Sequence, residues 1–254
     1  MSFSAGLVAG SAQLLHADGS KVMHAFVWDV ENGLKDMGVG ILADKTSAGI
    51  AINDSGTVVG FYGAKPYSYS STFSWDGTFI WDSQASTPIK ELDIGEGQCG
   101  SVSDISNPGQ IVGELGKEGK WHAFVWDSEN GLLDLADLVG EHSMASHINQ
   151  SGHVLGLRHA PAQPRLLLGK YKLPPFLQGR PYSRSRFVFR PPDDLIYLEQ
   201  ELGVSAFEAH DINARGVILV YHYKKKRSLI MTPISSKPAG KSDYKYLPRK
   251  KRKK

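Results

Sequence analysis

An internal repeat constrains the fold of this chain more than any other feature of its sequence. The sequence His-Ala-Phe-Val-Trp-Asp occurs at residues 24–29 and again, unchanged, at 122–127, and each copy is followed one residue later by Glu-Asn-Gly-Leu. Weaker copies occupy residues 78–82 and 186–190. A unit of this length cannot cover its own apolar faces, so a chain built from such units must stack them on one another.

A second motif alternates with the first. The pattern Ile-Asn-x-x-Gly-x-Val-x-Gly, with substitutions, occurs at four places, and its second half occurs once more near the N-terminus. The longest interval between copies contains a basic insertion, residues 158–185. The turn glycines of the five copies are 43 to 64 residues apart: Gly6, Gly56, Gly109, Gly152 and Gly216.

Each unit reads as four short strands joined by tight turns. Asn, Asp, Ser and Gly at the turn positions tolerate reversal, and the 27 glycines and 13 prolines of the chain agree with frequent turns. In the first unit, alternation places His24, Phe26 and Trp28 on one strand face and Ala25 and Val27 on the other. Four strands in about 45 residues are typical of a propeller blade.

We therefore predict an all-β fold, a β-propeller of about five four-stranded blades, within residues 1–233. The terminal blades are expected to share strands, because the first unit begins in the middle of the repeat. Alternatively, the chain is a fragment of a longer repeat protein.

The two motifs together resemble the HAF repeat, which is found mostly in bacterial proteins described as probable extracellular repeat proteins. The resemblance covers residues 4–233 and is specific in the first three units, whereas the unit at 186–233 lacks the His, Trp and Asp. It implies a β-propeller-like scaffold and an extracellular location, and it carries over no catalytic residues. Residues 3–10 form too short an apolar run, without a basic segment before it, to predict a signal peptide.

The recurring polar residues are predicted to be structural. His24 and His122 hold equivalent positions in different units, and a shared metal ion would require them to converge with a third ligand. We expect each to fill the same hydrogen-bonding position in its own unit. No catalytic residue, metal or cofactor is predicted, and Cys99 is expected to be inert. The recurring turn residues should bond their own backbone rather than bind calcium: Asp29, Asp82, Asp127, Asn53, Asn107, Asn149 and Asn213.

Basic residues are concentrated in two segments. The chain has 29 Lys and Arg against 26 Asp and Glu, and residues 237–254 alone hold nine basic residues and one acidic residue. We predict that residues 234–254 form a disordered basic tail. Its last six residues, Arg249 to Lys254, suit nucleic acid or another anionic surface, or serve only to solubilise the protein.

The sequence predicts a non-enzymatic binding module that contacts a protein or polyanionic ligand through variable inter-strand loops. Strand alternation places these loops at one end of the scaffold, which should be enriched in positive charge. In the insertion, the same residues also suit an extended, proline-rich loop that covers a blade edge. The alternative function is a propeller hydrolase acting on carbohydrate. The sequence contains no run of about 20 apolar residues, so it does not predict a membrane helix. The candidate contact residues are Lys170, Tyr171, Lys172, Phe176, Arg180, Tyr182, Arg184, Lys224, Lys225, Lys226 and Arg227.

Overall fold

The computed structural model of the chain is all-β within the part that it describes. That part comprises residues 2–4, 6–15, 19, 21–38, 40–43, 45–63, 76–82, 85, 88–94, 99–117, 119–161, 182–191, 194–199, 207–233 and 244–247. Besides twenty strands, it includes a 3₁₀ turn at Gly40–Leu42 and a four-residue helix, α1, at Ala136–Val139. These two segments, and the helical residues Leu198 and Glu199, lie in connections between repeat units.

The strands form five antiparallel sheets of four strands, each a meander in chain order. Sheet 1 contains β1 (Ser2–Ser4), β2 (Leu7–Leu15), β3 (Lys21–Asp29) and β4 (Gly33–Asp36). Sheet 2 contains β5 (Thr46–Ile52), β6 (Val58–Gly63), β7 (Gly77–Trp81) and β8 (Ile89–Glu91). Sheet 3 contains β9 (Cys99–Ile105), β10 (Ile111–Lys117), β11 (Lys120–Asp127) and β12 (Gly131–Asp134).

The last two units have the same order. Sheet 4 contains β13 (Ser143–Ile148), β14 (Val154–Pro161), β15 (Tyr182–Arg190) and β16 (Asp194–Tyr197). Sheet 5 contains β17 (Phe207–Ile212), β18 (Ile218–His222), β19 (Arg227–Pro233) and β20 (Tyr244–Leu247). The prediction of an all-β chain with five four-stranded units is confirmed at this level.

Two details of the prediction are corrected. Each terminal sheet is built from its own contiguous segment, so the terminal units do not share strands. Residues Tyr244–Leu247 pair antiparallel with β19, although the sequence placed them in the tail. The repeat region therefore extends to Leu247, because a fourth strand is needed to cover the edge of β19. The rest of the predicted tail, residues 234–243 and 248–254, lies outside the described residues.

Successive sheets pack face to face, and the apolar core is divided into four clusters between them. Between sheets 1 and 2, Ala25 and Val27 pack against Val58, Phe79 and Trp81. Both faces of an inner sheet are therefore buried, which explains why apolar residues occupy both sets of alternating positions. The described residues form a succession of sheets and do not close into a ring.

In sheets 2 to 4, close packing within the sheet requires the last glycine of the Val-x-Gly motif. A Cβ atom on Gly113 would overlap the carbonyl oxygen of Ser101 on the neighbouring strand and touch the ring of Phe124. Gly60 and Gly156 have equivalent surroundings, with the rings of Phe79 and Phe187 above them. The motif therefore pairs a glycine on the second strand with a phenylalanine on the third.

Candidate functional site

The Asn-x-x-Gly turns of sheets 2 to 5 lie together at one end of the molecule, which we call the turn end. Asn53 Oδ1 accepts the Thr57 N–H at 2.9 Å, while its Nδ2 donates to the Ser106 carbonyl in the next sheet at 3.2 Å. Asn149 repeats both bonds, to the His153 N–H at 2.9 Å and to the carbonyl of Asn213 at 2.9 Å. For Asn53 and Asn149 the expected bonding to their own backbone is confirmed, and it is combined with a bond between sheets. The same expectation is wrong for Asn107, because its Oδ1 accepts an N–H group from the turn of sheet 2.

Further hydrogen bonds join the turns of neighbouring sheets. Asn107 Oδ1 accepts the Asp54 N–H at 2.9 Å, and the Asn107 N–H donates to Gln150 Oε1 at 2.7 Å. The position equivalent to Asn53 in sheet 3 is held by Ser106, whose Oγ accepts the Gln110 N–H at 3.1 Å. Polar side chains at the turn end are thus engaged in holding successive sheets together.

The repeated His-Ala-Phe motif also has a structural role. His122 Nδ1 lies 2.8 Å from Asp134 Oδ2 on the adjacent strand, and His24 Nδ1 lies 3.0 Å from Asp36 in sheet 1. The N–H of the following alanine, Ala123, donates to Ser143 Oγ in the next sheet at 3.0 Å. Each histidine therefore has its own carboxylate, as the hydrogen-bonding interpretation predicted. In the described ranges, no group of three or more His, Cys, Asp or Glu is arranged to hold a metal ion.

A histidine and two carboxylates approach one another on the first strands of sheets 3 to 5. Asp104, His147 and Asp211 each follow a one-residue β-bulge. Asp104 Oδ1 accepts the Ile105 N–H at 2.9 Å, Oδ2 accepts the Ile148 N–H of sheet 4 at 2.9 Å, and Oδ2 lies 3.8 Å from His147 Nδ1. Burial raises the pKa of Asp104, and the charge of Asp211 adds to this, against the opposing hydrogen bond from Ile148. Because both oxygens hold backbone N–H groups, we assign Asp104 to joining sheets.

The opposite end of the molecule, the loop end, contains the connections between second and third strands and between successive sheets. A cavity of about 310 Å³ opens there between sheets 3 and 4. Trp121 is 44% exposed and forms part of its wall. The cavity is lined by Glu114, Trp121, His142, Ser143, Met144 and His159. Its volume lies at the lower limit of small-molecule sites.

A backbone hydrogen bond links two histidines of this cavity, and burial changes the pKa of its carboxyl group. His142 has a φ of 60°, a conformation that is uncommon for residues other than glycine. Its carbonyl accepts the His159 N–H at 2.8 Å, which joins the two histidine backbones across neighbouring segments. Burial raises the pKa of the Glu114 carboxyl, opposed by a hydrogen bond from Ser101 Oγ at 3.4 Å. The cavity thus combines an indole, a thioether, two imidazoles and a carboxyl group whose pKa is raised by burial.

Charged residues directly precede three of the cavity residues, Trp121, His142 and His159, in the chain. Lys120 Nζ lies 2.6 Å from Glu141 Oε1, so this lysine is neutralised by an acidic neighbour. Arg158 donates from Nη1 to the Val139 carbonyl at 3.3 Å, and its guanidinium lies 4.0 Å from the ring centre of Tyr197. These contacts fix the base of the insertion against the connection between sheets 3 and 4.

The predicted contact residues fall into two groups. Lys224, Lys225 and Lys226 lie in the turn between β18 and β19, followed by Arg227, and all four are exposed. Tyr182 and Arg184 lie on β15, where the backbone of Arg184 is paired with His159 of the cavity. The remaining predicted contact residues lie outside the described residues: Lys170, Tyr171, Lys172, Phe176 and Arg180.

Sequence reasoning did not identify the cavity residues. Glu114 and Trp121 belong to one hairpin, whereas His142 and His159 come from the next unit. The one available signal was Trp121, an additional tryptophan directly before the His-Ala-Phe motif of the third unit.

No protein-family model matches the chain, and no curated protein is significantly similar to it in sequence. Within the described segments, no helix is long and apolar enough to span a bilayer.

Proposed function

We propose that this protein is a non-enzymatic scaffold of propeller-type blades, related to HAF repeat proteins, that binds a polyanionic partner through its loop end. The motifs at 24–29 and 122–127 support the family relationship. The face-to-face meander sheets support the comparison with propeller blades.

The observation that carries this proposal is the contrast between the two ends. In sheets 2 to 5 the connection between first and second strands always has five residues, as at 53–57 and 149–153. The connections between second and third strands range from two residues, 118–119, to twenty, 162–181. Loops that vary in length on a constant scaffold are typical of binding surfaces. The loop end is therefore the end at which a partner can be selected.

Charge favours an anionic partner. Lys224, Lys225, Lys226 and Arg227 are consecutive and exposed in sheet 5. They lie at the same end as the end of β14 and the start of β15, the two strands that the basic insertion joins in the sequence. Tyr223 OH donates to Glu208 and stacks edge-on with Tyr221 at a centroid distance of 5.5 Å, which orders the start of this turn. An exposed run of cations, in a chain with a second basic segment, suits a polymer that carries regularly spaced negative charge.

Hydrolysis of carbohydrate is less well supported by the same residues. A glycoside hydrolase generally requires two carboxyl groups on opposite sides of the scissile bond. Among the described residues that line the cavity, Glu114 supplies the one carboxyl group. Asp104, on the inner strands, uses both oxygens to accept backbone N–H groups. We therefore propose binding without catalysis.

The experiment is a salt titration of binding to a labelled 20-nucleotide oligothymidylate, used as a generic polyanion. The full chain is compared with a Lys224→Ser, Lys225→Ser, Lys226→Ser triple variant. Loss of three phosphate contacts should reduce the slope of log K against log salt by about 2. Lys90→Ser, on an outer strand of sheet 2, is the matched control and should leave the slope unchanged.

A truncation after Leu247 removes the basic C-terminus and leaves β20 in place. If only this truncation weakens binding and the triple variant binds as the wild type does, the loop end has no part in anion binding and the proposal fails.

A further inference from the structure

Each of the two outermost sheet faces of the described structure carries an exposed pair of apolar side chains. We call the sheet face that carries the tryptophan position of the repeat the rear face, and the other the front face. In each of the four internal interfaces, the rear face of one sheet packs on the front face of the sheet before it. The residues at the tryptophan position in these interfaces are Trp81, Trp126, Phe189 and Met231. Sheet 1 has a rear face and sheet 5 has a front face that these four clusters do not include. Among the described residues, therefore, no sheet covers either of these two halves of the repeated interface.

The rear face of sheet 1 contains Trp28 and Leu34, which are paired on adjacent strands. Trp28 is 40% exposed, whereas Trp81, at the equivalent position of sheet 2, is 3% exposed because sheet 1 covers it. Leu34 is 54% exposed, and its equivalent Ile89 is 6% exposed. Trp28 and Leu34 are thus the kind of residues that are buried between sheets elsewhere in the molecule, but no described sheet covers them.

The front face of sheet 5 shows the complementary difference. Leu219 and Ile230 are paired on adjacent strands and are 43% and 42% exposed. Their equivalents in sheet 4, Leu155 and Val188, are buried against sheet 5. Sheet 5 thus has apolar residues at the positions that contact the following sheet in the other units, but the described structure contains no sheet after it.

We infer that these faces bind each other between two copies of this chain, with the front face of sheet 5 of one copy on the rear face of sheet 1 of the next. The argument is continuity with an established interface, since the same pairing of faces occurs four times within each copy. An apolar sheet face is covered best by a sheet with matching alternation, and a second copy offers one. Such a contact is heterologous, so it uses two different faces and can continue to a third copy or close into a ring.

The proposal is tested by sedimentation velocity of the full chain over a range of concentrations. The wild type should show a weight-average mass that rises above that of the monomer as concentration increases. Trp28→Glu removes the rear face, and Ile230→Glu removes the front face. Because every head-to-tail contact needs one face of each kind, either variant alone should remain monomeric.

Mixing the two variants provides the decisive measurement. Trp28→Glu keeps its front face and Ile230→Glu keeps its rear face, so an equimolar mixture should form a dimer and nothing larger. Leu133→Glu, at an exposed leucine of sheet 3, is the matched control and should associate as the wild type does. Circular dichroism checks that all variants are folded.

A wild type that stays monomeric at 100 µM or above would overturn the inference, since closure within one chain or a different partner would then cover these faces. Dimers of Ile230→Glu alone, or a mixture that remains monomeric, would also overturn it, because the contact would not be head-to-tail.

Discussion

His122 on the third strand of sheet 3 holds Asp134 on the fourth strand, with 2.8 Å between Nδ1 and Oδ2. Asp134 in turn accepts the Ala136 N–H at 2.9 Å, at the start of the connection to sheet 4. The same arrangement recurs in sheet 1, where Asp36 receives His24 and the Gly38 N–H at 2.8 Å. The histidine of the repeat therefore orients the carboxylate that directs the chain into the next unit.

Substitution of His122 should accordingly destabilise the protein. His122→Ala removes a buried hydrogen bond to a carboxylate and should lower the free energy of unfolding by about 2 kcal/mol. Urea denaturation followed by circular dichroism measures this. In a double-mutant cycle with Asp134→Ala, the second substitution should cost less when His122 is already absent. Strict additivity would show that the pair does not interact.

Gly113→Ala should be destabilising for steric reasons. The new Cβ would overlap the Ser101 carbonyl, which belongs to the paired strand and cannot move without breaking the sheet. Overpacking of this kind costs about 1–3 kcal/mol or more. Gly119→Ala is a useful comparison, because Gly119 has a φ of 77° and open space around it. It should cost about 1 kcal/mol from backbone strain alone. Equal losses for the two variants would contradict the steric explanation.

Removing the Asn149 side chain should lower the free energy of unfolding more than removing the Asp127 side chain, although both side chains accept N–H groups in a turn. Asn149→Ala leaves the Ser151 and His153 N–H groups without their acceptor and removes the bond to sheet 5, so we expect a loss of about 1–3 kcal/mol. Asp127 Oδ1 accepts the Glu129 and Asn130 N–H groups within one exposed turn, and Asp127→Ala should cost less. Urea melts and limited proteolysis would show the ranking, and the reverse ranking would exclude a role for Asn149 between sheets.

Glu114→Gln should stabilise the protein in a pH-dependent manner. Burial raises the pKa of Glu114 in the folded state, so the ionised carboxylate disfavours folding above that pKa. As the pH falls through the folded pKa towards the unfolded value, this penalty disappears. The advantage of Glu114→Gln should therefore be largest at pH 7 and vanish near pH 4. Unfolding free energies measured at pH 4, 5.5 and 7 check the sign, and a difference independent of pH would refute it.

The repeated strands could be predicted because their signals are local. The turn glycines Gly56, Gly109 and Gly152 have positive φ, as the turn residues indicate, and each is followed by a strand of the expected type. The fourth strand of sheet 5 was missed because the basic composition around it resembles a tail. The alternation Tyr-Lys-Tyr-Leu at Tyr244–Leu247 was the local signal for that strand.

The cavity and the inter-sheet bonds could not be predicted in the same way. His142 and Glu114 meet only because sheets 3 and 4 pack at a particular offset, and their spacing is not repeated in other units. The bond from Ile148 to Asp104 depends on the bulge that precedes each of these residues. Bulges and offsets are properties of packing, and no residue type in this chain marks them.

Each sheet is made from one uninterrupted segment and contacts its neighbours in the succession of sheets. The number of repeat units can therefore change without altering the structure of any one unit. A complete unit can be duplicated or removed at a connection such as residues 37–45 without cutting a strand or leaving one unpaired. The two new faces would meet as the old ones did, since every junction uses the same complementary surfaces. Evolution can thus alter the span between distant loops in steps of one unit, without redesigning the junctions.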